Sequence, residues 1–141
     1  MHQLPKMVGS VFRHRVVSVS DFATISSVAA DVAAGRASAI EVLEQHLARI
    51  DAREAEVHAF NLVTRDEARA TATAIDARVK KGENPGRLAG VPIALKDNMC
   101  TRGIDTTCSS RILEGWKPPY NATVVDKLAA EGAVFIGKTN L

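Results

Sequence analysis

Apolar residues recur at helical spacing from Asp21 onward. Phe22, Ile25, Ala29 and Val32 fall on one side of a predicted helix, with Ser20 placed to cap its start and Gly35 to end it. A second helix follows at once. Ser38-Ala39-Ile40-Glu41 has the S-x-x-E form of a capping box, and Ile40, Leu43, Leu47 and Ile50 then make one apolar stripe. Thr64-Arg65-Asp66-Glu67 repeats that form and opens a third, alanine-rich helix that runs to Lys81 and stops at Gly82. Each of these helices keeps a polar face, so they are expected to coat something rather than form its centre.

The pattern then changes period. After the turn signals Gly82, Pro85 and Gly86, the run Val91-Pro92-Ile93-Ala94-Leu95 is a short apolar strand of the kind buried in an α/β sheet, its register disturbed by the proline. Thr123, with Asp126 three residues on, caps a helix through Ala130, Gly132 ends it, and Ala133 to Ile136 makes a second apolar strand. Helices alternating with buried strands indicate an α/β fold.

Composition narrows the picture. A chain of 141 residues with 46% hydrophobic content can bury one core, and with only 4% aromatic residues that core must be built from Ala, Val, Leu and Ile. A formal charge of +2, with no basic run longer than Lys80-Lys81, gives no electrostatic footprint for nucleic acid. No stretch approaches the roughly 20 apolar residues that span a bilayer. Cys100 and Cys108 form neither a CxxC pair nor a cluster with metal-ligand spacing, so reduced thiols in a cytoplasmic protein are expected. The first twenty residues hold Lys6, Arg13 and Arg15 but no acid, which fits either a flexible extension or a weak organellar targeting segment.

Lys96 is the residue most able to carry chemistry. It follows the first apolar strand and precedes Asp97-Asn98, and strand carboxyl ends are where reacting groups sit in open α/β sheets. A lysine acts as a base only when burial or neighbouring cations favour its neutral form, and the apolar strand suggests such burial; an ordinary lysine pairing with a carboxylate is the alternative. Gly132 to Thr139 satisfies G-x-x-x-x-G-K-T literally. Yet a phosphate loop needs those intervening residues as an open loop after a strand, and here they are themselves an apolar strand after a helix. The hydroxyl-rich run Thr106 to Ser110 reads as a polar loop, since His2, His14, His46 and His58 all lie in the amino-terminal part and offer it no partner.

Leu88-Ala89-Gly90-Val91-Pro92-Ile93-Ala94-Leu95-Lys96-Asp97-Asn98 resembles the first signature block of the amidase-signature family. Gly103 with Thr106-Thr107-Cys108, then Tyr120 to Val125, then Gly132 through Asn140 resemble that family in the same order, and Ala59-Phe60-Asn61 corresponds more loosely. Within the family the likeness is to the glutaminase subunits of tRNA-dependent amidotransferases. The resemblance implies a mixed central sheet covered by helices, with residues 1–20 as an extension and 21–141 as the amino-terminal part of an amidase domain. It also implies a Ser-cisSer-Lys triad in which Lys96 is the base of the charge relay, a bridging serine passes the proton, and the nucleophilic serine attacks an amide carbonyl.

By the same likeness the substrate is glutamine, and the ammonia passes to a partner that activates Glu-tRNA(Gln) with ATP and Mg²⁺, with no cofactor in this chain. The tRNA is expected to meet mainly the partner. In the family both serines lie downstream of the G-K-T-N block. The 141-residue chain is therefore expected to be inactive by itself and, with strand edges and apolar faces uncovered, unstable alone. A stand-alone amidase for another small amide and a non-catalytic remnant are the alternative readings.

Overall fold

The computed structural model describes residues 23–141. The proposed extension over 1–20 and the cap at Ser20 lie outside these residues. Helix α1 spans Ile25–Ala33 and α2 spans Ala39–Val57; strand β1 (Phe60–Val63) leads into helix α3 (Arg65–Lys80). Strand β2 is Pro92–Lys96, helix α4 is Thr123–Ala130 and strand β3 is Val134–Thr139, with a short 3₁₀ turn at Arg111–Leu113. The sheet order is β1-β3-β2, with β3 central, parallel to β2 and antiparallel to β1. The alternation of helices and strands is the α/β fold that the pattern indicated, and the mixed sheet with covering helices is the one that the resemblance implied.

The predicted apolar stripes are buried in part: Ala29, Val32, Leu43 and Leu47 are, Ile40 and Ile50 are half-buried, and Ile25 at the start of α1 is 61% exposed. Val32 of α1, Leu43 and Leu47 of α2 and Ala68, Ala72 and Ile75 of α3 join Val134 and Ile136 of β3 in one core cluster. Burying a leucine side chain fully is worth about 1.5–3 kcal/mol, and Leu43 and Leu47 are 0% and 1% exposed. Alanines along α3 let it lie close against α2, so the low aromatic content translates into close helix packing rather than a loose interior.

The helix starts differ from the expected ones, each for a visible reason. Thr24 caps α1: its hydroxyl accepts from the Ser27 N–H at 3.1 Å while the Ser27 hydroxyl accepts from the Thr24 N–H at 2.9 Å. At α2 the Ser38 side chain makes no capping bond to its own helix. Asp76 of α3 takes that role, its carboxylate accepting from the Ser38 hydroxyl at 2.6 Å and from the Ala39 and Ile40 N–H groups at 2.7 and 3.2 Å. Thr64 precedes α3, but its hydroxyl donates to the Phe135 carbonyl in β3, which fastens the helix to the sheet instead of closing a local box. Thr123 is the first residue of α4 rather than its cap; Ala122 stands before it, and Asp126 receives the Asn121 amide at 2.8 Å.

Two glycines are fixed by contacts. Gly132 turns out of α4 at φ +82°, where a side chain would also meet the Pro85 carbonyl. Gly137 lies mid-strand, and a Cβ there would collide with the Leu62 carbonyl and the Phe60 ring. The second glycine of the G-x-x-x-x-G-K-T run is thus a place where the bulged β1 lies close against its neighbour β3. β3 itself is longer than the predicted Ala133–Ile136 strand and includes Gly137, Lys138 and Thr139. A phosphate has no open loop there, as the pattern of apolar residues implied.

Candidate functional site

The parallel pairing of β2 and β3, and the antiparallel pairing of β1, gather one edge of the sheet from distant parts of the chain. Lys96 pairs with Thr139, and Phe60 pairs with the same Thr139 from the other side. The edge therefore brings together the start of β1, the carboxyl ends of β2 and β3, and the loop from Thr106 to Ser110. Register slips by one residue between Phe60 and Leu62, which leaves Asn61 as the extra residue of a β-bulge. Bulges re-aim side chains, and the Asn61 amide donates to Asp97 Oδ2 at 3.0 Å and to Ser109 Oγ at 2.9 Å.

Alternation along β2 decides where its last residues go. Leu95 and Asp97 are buried, whereas Lys96 between them is exposed. The burial expected for Lys96 from the apolar strand is therefore not met: a strand exposes every second residue, and Lys96 takes the outer position. Among the described residues no hydrogen bond or ion pair engages its ammonium group. The alternative of an ordinary lysine paired with a carboxylate is not met either.

The buried lysine of this edge is Lys138. It and Asp97 are each 1% exposed, with Nζ 3.3 Å from Asp97 Oδ1. The Lys138 ammonium donates to the Thr106 hydroxyl at 2.7 Å and to the Met99 carbonyl at 3.0 Å. Asp97 Oδ1 receives no aligned hydrogen bond, so its link to Lys138 is the charge attraction itself. Oδ2 is fully used, accepting from Asn61, from the Thr107 hydroxyl at 2.6 Å and from the Thr107 N–H at 3.2 Å. Burial alone would push the Asp97 carboxyl upward. The Thr107 and Asn61 hydrogen bonds and the Lys138 charge outweigh it and hold the group below the usual carboxylate value.

The loop beside this pair is shaped by the same contacts. Cys108 and Ser109 are consecutive non-glycine residues at φ +49° and +52°, a conformation that costs about 1–2 kcal/mol per residue. The Cys108 N–H donates to the Asp97 carbonyl at 3.1 Å, and the Ser109 hydroxyl donates to Asn140 Oδ1 at 2.8 Å, so hydrogen bonds offset the strain. Ser110 Oγ accepts from the Ile112 N–H at 3.3 Å. Both serines are thus occupied with structure, in agreement with reading this run as a polar loop. Beside them lies a shallow cleft of about 360 Å³, lined by Asn61, Thr107, Ser109, Arg111, Glu114 and Asn140 among others. Cys100 and Cys108 are free and half-buried. Among the described residues no helix is long and apolar enough to cross a membrane.

The sequence pointed to Lys96 and placed it correctly at a strand's carboxyl end. It did not single out Lys138 or Asn61. A signal for the first existed: a lysine directly after Val134 to Gly137, inside a strand otherwise apolar, needs a buried counter-charge, and Asp97 stands in the equivalent place after β2. The role of Asn61 depends on a bulge that no local pattern announces.

Comparison with known proteins shows the family and the fold. The model of the Amidase family matches residues 41–141. The A-type subunit of glutamyl-tRNA(Gln) amidotransferase from Gloeobacter violaceus is 50% identical over 118 residues, covering 84% of this chain and 24% of that protein. Its counterpart from Synechococcus sp. (strain CC9311) is 57% identical over 107 residues, covering 76% of this chain and 22% of that protein. Among solved structures, the native peptide amidase of Stenotrophomonas maltophilia superposes with a TM-score of 0.80 at 29% identity, over 88% of this chain and 26% of that one. A bacterial aryl acylamidase of the amidase-signature family gives 0.79 at 29% identity, over 84% and 25%. The chain spans about a quarter of the length of the curated relatives it matches.

Proposed function

The chain belongs to the amidase family, and from that membership we propose that it carries Lys96 as the base of an amide-hydrolysing centre, in the glutaminase component of a tRNA-dependent amidotransferase. The observation that supports the catalytic part is the placement of Lys96: an ammonium without a partner among the described residues, at the carboxyl end of β2, on a backbone held by β3 and by the turn to Met99. Lys96 is exposed here, and in this reading the part of the enzyme that holds the serines covers it and brings a serine hydroxyl within its reach. The family resemblance gives it a bridging serine held by a cis peptide and a nucleophilic serine, with backbone N–H groups stabilising the oxyanion. Ser109 and Ser110 do not fill those roles, since each is already bonded within its loop.

Glutamine is preferred as substrate on the strength of the 50% identity with a glutamyl-tRNA(Gln) amidotransferase component, against 29% with the peptide amidase. In this reading the ammonia passes to a partner that holds ATP, Mg²⁺ and most of the Glu-tRNA(Gln). This chain provides no nucleotide seat at the G-x-x-x-x-G-K-T run, because that segment is strand and its lysine is buried.

The test is made on the native assembly, purified from its host through an affinity tag on this chain. We expect glutamine hydrolysis that rises when ATP, Mg²⁺ and Glu-tRNA(Gln) are added and that vanishes in Lys96→Ala. Hydrolysis of other small amides, indifferent to tRNA, would make the protein a stand-alone amidase, the reading favoured by the structural match to peptide and aryl amidases. The 141-residue chain by itself is expected to hydrolyse nothing. Glutamine hydrolysis by the isolated chain, lost on Lys96→Ala, would overturn that expectation.

A further inference from the structure

Lys96 combines a side chain with no partner among the described residues and a backbone held by hydrogen bonds on and beside it. Its own carbonyl accepts from the Met99 N–H at 2.9 Å, closing a turn. Its neighbour Asp97 is tied through its backbone: the N–H donates to the Thr139 carbonyl at 3.0 Å, and the carbonyl accepts from Cys108. Its carboxylate is engaged by Asn61, Thr107 and Lys138. These ties come from β1, β3 and the 106–110 loop. Lys138 adds two more to the stretch that follows, through Met99 and Thr106.

A fully buried ion pair is a poor device for stability, because removing both charges from water offsets most of their attraction and a matching apolar pair does as well. What such a pair provides here is a single arrangement. Asp97 and Lys138 satisfy one another and their surroundings only when the end of β2 lies in this register against β3. Any displacement of the backbone at residue 96 must break a buried hydrogen bond or separate buried charges.

We propose that Asp97, clamped by Lys138, Asn61 and Thr107, is the positioning residue for Lys96, fixing the backbone from which the lysine reaches the reacting serine. This inference rests on the reading of Lys96 as the base. Lys138 acts one step further back: it neutralises Asp97 and pins the turn that begins at Lys96. The cost of losing the clamp appears in the chemical step, since a base displaced by about 1 Å loses on the order of 100-fold in rate while substrate binding is spared.

The experiment uses the native assembly, with glutamine as the probe, in wild type, Asp97→Asn, Lys138→Met, Lys138→Arg, Thr107→Val and Lys96→Ala. Asp97→Asn and Lys138→Met are expected to lower kcat by about 10- to 100-fold with KM within about twofold. Lys138→Arg, which keeps the charge, is expected to recover part of the loss. A folded Asp97→Asn or Lys138→Met assembly with wild-type kcat would overturn the proposal, as would a loss confined to KM. If the charge variants do not assemble, Thr107→Val decides, because it removes one hydroxyl from Asp97 and leaves the ion pair in place. An unchanged kcat there overturns the proposal, and a drop of about 3- to 10-fold supports it. The Lys96→Ala arm separates the two levels. If it is inactive while the Asp97 and Lys138 variants are normal, positioning alone fails; if it is fully active, the reading of Lys96 fails first.

Discussion

Whether α2 is capped from within its own sequence or from across the fold is decided by replacing Asp76 with alanine. The capping box expected at Ser38 and Glu41 would make Ser38→Ala the damaging change. The structure instead runs three hydrogen bonds into the Asp76 carboxylate, from the Ser38 hydroxyl and the Ala39 and Ile40 N–H groups. Loss of a capping side chain costs about 0.5–2 kcal/mol, and bonds to a charged acceptor lie toward the upper end of the range for single hydrogen bonds. A cost of about 1–2 kcal/mol for Asp76→Ala changes a local opening equilibrium by about 5- to 30-fold. The assay is native-state hydrogen exchange resolved at the Ala39 and Ile40 amides. We expect both to exchange faster by that factor in Asp76→Ala. In Ser38→Ala the effect is expected to be smaller, since both backbone bonds survive. Unchanged exchange in Asp76→Ala, together with acceleration in Ser38→Ala, would refute the tertiary cap and restore the local one. The consequence reaches beyond one helix, because Asp76 ties the start of α2 to α3 and so sets the pair of helices that lies on β3.

Two further outcomes follow from the same contacts. Gly137→Ala is expected to destabilise by about 1–3 kcal/mol through overpacking, because the new methyl group must displace the Leu62 carbonyl and the Phe60 ring. Faster proteolysis within residues 57–65 would report the displaced β1, and a variant as resistant as wild type would refute the close approach. Acid sensitivity is expected from Asp97, whose folded-state pKa lies below its unfolded one, principally because the Thr107 and Asn61 hydrogen bonds prevail over the upward push of burial. Its stabilising contribution is fully present above the unfolded value of about 4 and is lost as pH falls through the folded value. Unfolding midpoints measured between about pH 6 and 3 should therefore fall less steeply in Asp97→Asn than in wild type. Glu44, held below its ordinary value by the Arg69 hydrogen bond, titrates in the same window in both proteins, so the difference in slope isolates Asp97. Equal slopes would show that the carboxyl is not held down.

The parts of the fold that follow from local periodicity were readable, and those that depend on a distant partner were not. Val32, Leu43, Leu47 and Ile75 are buried because the 3.6-residue repeat already places them on one face. Thr64 and Ser38 show the limit. Each has the residue type and spacing of a helix cap, but each hydroxyl finds a better partner across the fold, in Phe135 and Asp76. Strand β1 was missed as a strand because its four residues are half-buried or exposed, so it carries neither an apolar run nor a clean alternation, and it exists by pairing with β3.

The site follows the same division. The place of Lys96 after an apolar strand is a local fact, visible in Val91 to Asp97. Its exposure comes from strand alternation, which the proline at the start of β2 made hard to phase, and its rigidity comes from Asn61, Thr107 and Lys138, which lie 36, 10 and 32 or more residues away along the chain from the atoms they hold. A buried charge is the one such partner that leaves a mark in the sequence. Lysine inside an apolar strand is expensive unless a carboxylate meets it, so Lys138 by itself demands an acid at the edge of a neighbouring strand. Among the residues flanking β2, only Asp97 supplies one at the matching end. Read in that way, G-K-T in this chain is one half of an ion pair whose other half is K-D-N, and the two halves fix the edge on which Lys96 is presented.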